Sequence, residues 1–113
     1  MPTNYKNAQI QGTSGTGTYS NLYSTSASTT AVISSLVIAN TASADVSYRI
    51  GITSTSASAP VIVNGEFIVY DAVVRANDTT SLTFGVTLEN SKRLYVSSSS
   101  NQVCFNAFIS EIT

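Results

Sequence analysis

The side chains able to do chemistry in this sequence are few and scattered. Six carboxylates (Asp45, Glu66, Asp71, Asp78, Glu89 and Glu111), one thiol (Cys104), six tyrosines and five Lys or Arg residues stand beside no histidine at all. Without His, the commonest general base and the commonest metal ligand are missing, which excludes triad hydrolysis. A single Cys forms no internal disulfide and, with no His or second thiol, no zinc site. Calcium needs several oxygen ligands on one loop, and no Asp-x-Asp or Asp-x-Asn-x-Asp run occurs. Two carboxylates about 5–10 Å apart would suffice for glycoside hydrolysis, but nothing in their spacing brings any two together. Glu66, Asp71 and Asp78 lie close in sequence to Arg75, which predicts a surface ion pair worth at most about 1 kcal/mol.

Other apparent motifs dissolve on inspection. Gly12, Gly15 and Gly17 suggest a phosphate loop, but no Lys-Ser/Thr and no helix follow them. Asn77-Asp78-Thr79 satisfies the glycosylation sequon and reads more simply as an Asx-type turn. Tyr5, Tyr19, Tyr23, Tyr48, Tyr70 and Tyr95 could form a sugar-stacking face or an interface, because tyrosine joins a large contact area to a polar tip. The chemical expectation is therefore a protein that binds: no enzyme, no cofactor, no metal.

The elements that must position these residues are strands. Val46, Tyr48, Ile50 and Ile52 alternate with Ser47, Arg49, Gly51 and Thr53, and Val103, Phe105, Ala107 and Ile109 alternate with Cys104, Asn106, Phe108 and Ser110. Strict period two means one wall faces a core. Leu82, Phe84, Val86 and Leu88 repeat the pattern, and Thr30–Asn40 carries a β-branched run suited to a central strand buried on much of both faces. Val61–Val63, Asn64-Gly65 and Glu66–Tyr70 give a type I′ hairpin signal, with its two arms expected to pair. Leu94–Val96 adds a short strand, and no segment shows a helical period. The expected architecture is an all-β, antiparallel β-sandwich, immunoglobulin-like or jelly-roll in topology. Its expected core includes Val46, Tyr48, Ile50, Ile52, Leu82, Phe84, Val86, Val103, Phe105 and Ile109.

At 113 residues the chain is one domain's worth of polypeptide, with a charged fraction of 10% and a net charge of −1. Such a surface offers no electrostatic footprint for nucleic acid or anionic lipid. The first residues lack the apolar run of about 7–15 residues that marks a signal peptide, and no run of about 18 apolar residues occurs, so neither export nor a membrane is expected. Residues 1–20 are rich in Thr, Ser, Asn, Gly and Gln and cannot bury enough apolar area to order themselves. They read as an extended arm, removable without unfolding residues 21–113, whose anchors Tyr5, Ile10 and Tyr19 are expected to contact a neighbouring subunit. Sparse Lys and Pro guards on the strand edges point the same way, toward a subunit of an assembly.

Asn21–Tyr23, Thr29–Leu36, Ser47–Ile50, Ala76–Thr79, Phe84–Leu88 and Phe105–Ile112 resemble stretches of small β-sandwich proteins encoded in the structural gene clusters of tailed bacteriophages. That group typically has Pro-Ala-Gly where this chain has Ser26, Ala27 and Ser28, which predicts a looser turn into the first long strand. The resemblance implies a virion structural protein made in the host cytoplasm. It implies first a capsid decoration or cement protein bridging subunits of the major capsid protein, as a homo-oligomer and often a trimer on local threefold axes. A neck, tail or baseplate accessory protein and a carbohydrate-binding module of a tail fibre are the alternatives.

Overall fold

The computed structural model describes residues 3–54, 62, 64–83 and 85–112. Among these, alternation of β-branched or aromatic residues with small polar ones produces strands: β1 (Thr3–Gln11), β2 (Gly15–Ser24), β3 (Thr30–Asn40), β4 (Val46–Thr53), β5 (Phe67–Val74), β6 (Thr79–Leu82), β7 (Val86–Leu88), β8 (Arg93–Ser98) and β9 (Val103–Ile112). One sheet runs β1-β9-β3-β6, with β7 also on β3, and the other runs β2-β8-β4-β5. Every pairing is antiparallel. An immunoglobulin sandwich keeps its first two strands in one sheet, whereas here β1 and β2 lie in different sheets. With β6 and β7 as one interrupted strand, the order is that of an eight-stranded jelly roll.

Between the sheets, Ile33, Leu36 and Ile38 of β3 and Phe105, Ala107 and Ile109 of β9 meet Val46, Tyr48 and Ile50 of β4 and Leu94 and Val96 of β8, all buried. The Tyr48 and Phe105 rings meet edge to face across the core, with centroids 6.2 Å apart. Of the remaining expected core residues, Ile52, Leu82 and Val86 pack against this cluster partly buried, and Phe84 lies outside the described residues. β3 is central as expected, but its second face is only half-buried at Val32, Val37 and Ala39.

Two sequence expectations are corrected. The Leu82–Leu88 alternation is two strands, broken at Gly85, whose φ is +54°. The break faces the register shift between Ile33 and Ser35 of β3, where one continuous partner could not stay in step. Asn64–Glu66 forms a 3-10 turn and not a I′ hairpin. Consequently β5 pairs with β4, while Ile62 packs 2.7 Å from where a Cβ on Gly51 would lie. Val61 and Val63 are outside the described residues.

Residues 3–11 and 15–20 are extended strands of the sandwich: β1 pairs with the chain's own β9 from Thr3↔Ile112 to Gln11↔Cys104, and β2 runs through Ser20 and Asn21. What orders so polar a segment is ladder hydrogen bonding plus a pinned corner. Gly12 N donates to Val103 O at 2.6 Å, and a Cβ on Gly12 would collide with Ser98 Oγ. Thr13 N donates to Ser98 Oγ (2.9 Å), Ser98 N to Thr13 Oγ1 (2.9 Å) and Ser98 Oγ to Ser100 O (2.9 Å). Removing residues 2–20 would strip β1 and the first half of β2 from their sheets.

Candidate functional site

Three polar constellations stand outside the core. The first is centred on Arg49, which period two points to the outer face of β4. Its guanidinium forks onto Asp71, Nε to Oδ1 at 2.7 Å and Nη2 to Oδ2 at 3.3 Å. Nη1 donates to Thr16 O (3.3 Å) and to the Tyr19 hydroxyl (3.4 Å). Its charge lies 4.1 Å from the Tyr70 ring centroid and 6.0 Å from that of Phe67, a cation–π arrangement. Phe67 and Tyr70 meet edge to face at 4.9 Å, and Tyr19 and Phe67 meet in a tilted arrangement at 6.2 Å.

Asp71 reaches Arg49 because β5 shifts register between its pairings with Tyr48 and Ile50, and Asp71 takes a left-handed φ of 53° there. Asp is one of the few side chains that tolerates this region. The hydrogen bond from Arg49 holds the Asp71 carboxyl below the usual carboxylate range, and the Asp71 and Tyr19 bonds raise Arg49 in turn. Both groups stay charged and mutually occupied, so the cluster offers binding chemistry, not proton transfer. Tyr70 and Val73, the latter opposite Ser47 on the same face, are each 57% exposed and form its apolar border.

The second constellation joins three strands. Lys6 of β1 lies 3.3 Å from the Glu111 carboxylate of β9, and the Tyr23 hydroxyl of β2 donates to the same carboxylate. The Tyr23 bond, then Lys6, hold Glu111 below the usual range, while burial and then Glu111 push Tyr23 up. A depressed carboxylate stabilises the fold fully above its unfolded pKa of about 4.3 and loses that contribution as pH falls through its folded value. The melting temperature should therefore drop on acidification below about pH 5, and Glu111→Gln should flatten that acid limb. Equal acid limbs for wild type and variant would refute the assignment. Tyr23 has the opposite sign, contributing below its unfolded pKa of about 10 and losing that contribution as pH rises further.

The third is the outer face of the five-stranded sheet. Register places Tyr5, Asn7, Gln9 and Gln11 of β1 beside Ser110, Phe108, Asn106 and Cys104 of β9, then Val32, Ser35, Val37 and Ala39 of β3, then Thr79, Ser81 and Thr87. None of these positions carries a charge. Tyr5 (83% exposed) and Phe108 (42% exposed) stand out of it, and a groove of about 360 Å³ opens beside Gln9, Gln11, Cys104 and Asn106.

The three expected contact residues are not brought together. Tyr5 is on this outer face, Ile10 sits on the opposite face of β1 against Phe105 and packs on the core, and Tyr19 belongs to the Arg49 cluster. Of the three carboxylates expected near Arg75 (Glu66, Asp71 and Asp78), Asp71 pairs instead with Arg49, since cross-strand neighbours are closer than residues four apart along one strand. Asp78 N donates to Arg75 O and Asn77 has φ 55°, so the sequon does sit in a turn. Among the described residues, no three His, Cys, Asp or Glu side chains converge.

No protein-family model and no curated protein matches the sequence. Solved structures do match the fold. A chain of the acid-stable capsid of Helicobacter pylori bacteriophage KHP30 aligns with TM-score 0.55 at 10% identity, covering 98% of this chain and 87% of that one. A protein of infectious bursal disease virus, Gx strain, aligns with TM-score 0.55 at 12% identity over 98% of this chain. The T13 particle of the same virus gives 0.53 at 10% identity. This chain spans only 33% of the length of the Gx-strain protein. At such identities the likeness establishes architecture: the chain is a jelly-roll sandwich of the kind found in viral capsid structures.

Proposed function

We propose that the chain is a non-enzymatic virion structural protein, a capsid decoration or cement protein that lies across subunits of the major capsid protein and stabilises the head. The observation that carries this reading is the uncharged outer face of the five-stranded sheet, with Tyr5 and Phe108 exposed on it. Such a face can be buried against a protein shell without desolvating an ion. Near end-to-end similarity to a chain of a phage capsid structure supports it, because that chain too is little longer than one sandwich. Residues 1–20 contribute to the contact through Tyr5.

Tyr5→Glu combined with Phe108→Glu should leave the melting temperature nearly unchanged, since both side chains face solvent, and should weaken binding to undecorated particles of the encoding phage at least about tenfold. Wild-type binding should change little between low and moderate salt, because no charge pair carries it. Cryo-EM occupancy reads both results. Full occupancy by the double variant would refute the reading.

A second reading draws on the Arg49 cluster: Tyr70 beside a carboxylate–guanidinium fork has the makings of a sugar-stacking site, as in a carbohydrate-binding module of a tail fibre. Glycan binding abolished by Tyr70→Ala, with no particle binding, would favour it.

A further inference from the structure

β1 closes one edge of its sheet, and among the described residues it has no strand partner beyond β9. Which of its backbone groups are free follows from two bonds. Gly12 N donates to Val103 O on one side of β9, and Thr41 N donates to Gln102 O on the other. Alternate residues of an antiparallel strand direct their N–H and C=O to alternate sides. Counting back from Gly12, the even-numbered residues of β1 bond β9, and Thr3, Tyr5, Asn7, Gln9 and Gln11 present theirs outward. All five are exposed.

Edges of this length are ordinarily guarded by charge, Pro or a bulge. β1 has no Pro, its register with β9 is unbroken, and its single charge, Lys6, is drawn to Glu111. We propose that β1 pairs antiparallel with β1 of a second copy, across a twofold axis passing at Asn7. The register is selected by elimination. A half-step axis would set outward-bonding residues against inward-bonding ones. An axis at Lys6 would place the two Lys6 side chains face to face, and an axis at Ala8 would leave Thr3 without a partner. The axis at Asn7 pairs Thr3 with Gln11, Tyr5 with Gln9 and Asn7 with its equivalent, so every outward group is used, and Lys6 faces Ala8.

With the axis perpendicular to the sheet, the two uncharged outer faces become one continuous surface. An isologous pair closes at two copies, so this edge builds a dimer and not the threefold trimer that the phage resemblance implies. A nine-residue strand pair buries less than the roughly 1,200 Å² of a stable interface. The dimer is therefore weak and reversible in solution and is strengthened where a surface holds copies close together. This inference does not rest on the capsid reading, because it is tested on the isolated chain.

Sedimentation equilibrium of the full chain at increasing concentration should show monomer and dimer only. Gln9→Pro removes an outward N–H without touching the β1–β9 ladder and should weaken the dimer at least roughly tenfold, two bonds being lost per pair. In a Cys104→Ser background, Asn7→Cys should give a cross-linked dimer on mild oxidation, since facing residues of a bonded pair lie about 5.5 Å apart, whereas Thr18→Cys should not. A chain that stays monomeric with no Asn7→Cys cross-link, a trimer or higher species, or a dimer indifferent to Gln9→Pro in a variant of unchanged melting temperature would each overturn the proposal. Should Gln9→Pro fail to fold, the cross-linking comparison alone decides.

Discussion

Phe105→Ala should lower the unfolding free energy by about 3–5 kcal/mol, a large part of the roughly 5–15 kcal/mol that holds a domain of this size. Phe105 is fully buried near the start of β9, opposite Ile10 of β1 and Ile38 of β3, and its ring meets Tyr48 from the other sheet. Truncation would remove the ring's transfer free energy and leave a cavity that closes in little, because β9, β3 and β4 are each fixed by ladder bonds on both sides. Phe108, three residues on and facing out, is the internal control: its truncation should cost less than about 1 kcal/mol. Urea unfolding of the two variants checks this. Equal losses would mean that β9 is not inserted in the register described.

The same strand shows what sequence could reveal. Val103, Phe105, Ala107 and Ile109 announce a buried wall by spacing alone, as do Val46, Tyr48 and Ile50, because a strand's two faces are fixed by parity and nothing distant can alter it. Which sheet a strand joins is not a local property. Local pattern therefore leaves immunoglobulin-like and jelly-roll order equivalent, and the placement of β1 and β2 in different sheets decides between them. The Arg49 cluster was hidden for a related reason. Its members come from β2, β4 and β5, and they meet only because β5 bulges at Asp71 and because β2 slips register between Gly15 and Ser20. Composition says little about where residues 3–11 lie: apolar content is a guide to self-sufficient folding, but a polar edge strand needs only a neighbour with free backbone groups, which β9 supplies.

Asn40 ends β3, and its replacement should be among the costliest in the chain. It is 3% exposed, and its Nδ2 donates to Ala44 O (3.0 Å), Val74 O (3.1 Å) and Arg75 O (3.1 Å) while Oδ1 accepts from Ala42 N (2.9 Å). One amide thus ties the end of β3, the turn into β4 and the end of β5. Asn40→Ala would leave four backbone groups without this partner, each worth about 1–3 kcal/mol if kept from water. Water can enter at a sandwich corner, so the expected loss is about 3 kcal/mol. Asn40→Asp preserves the shape but removes both donors and sets a carboxylate against three carbonyl oxygens. Those dipoles would raise the new carboxyl's folded pKa above its unfolded value, so the penalty should be largest at neutral pH and shrink toward pH 4 as the group protonates. That trend runs opposite to the acid limb set by Glu111, so the pH profiles of the two variants separate the corner from the edge. An Asn40→Asp deficit that is constant or grows on acidification would show that the amide does not face those carbonyls.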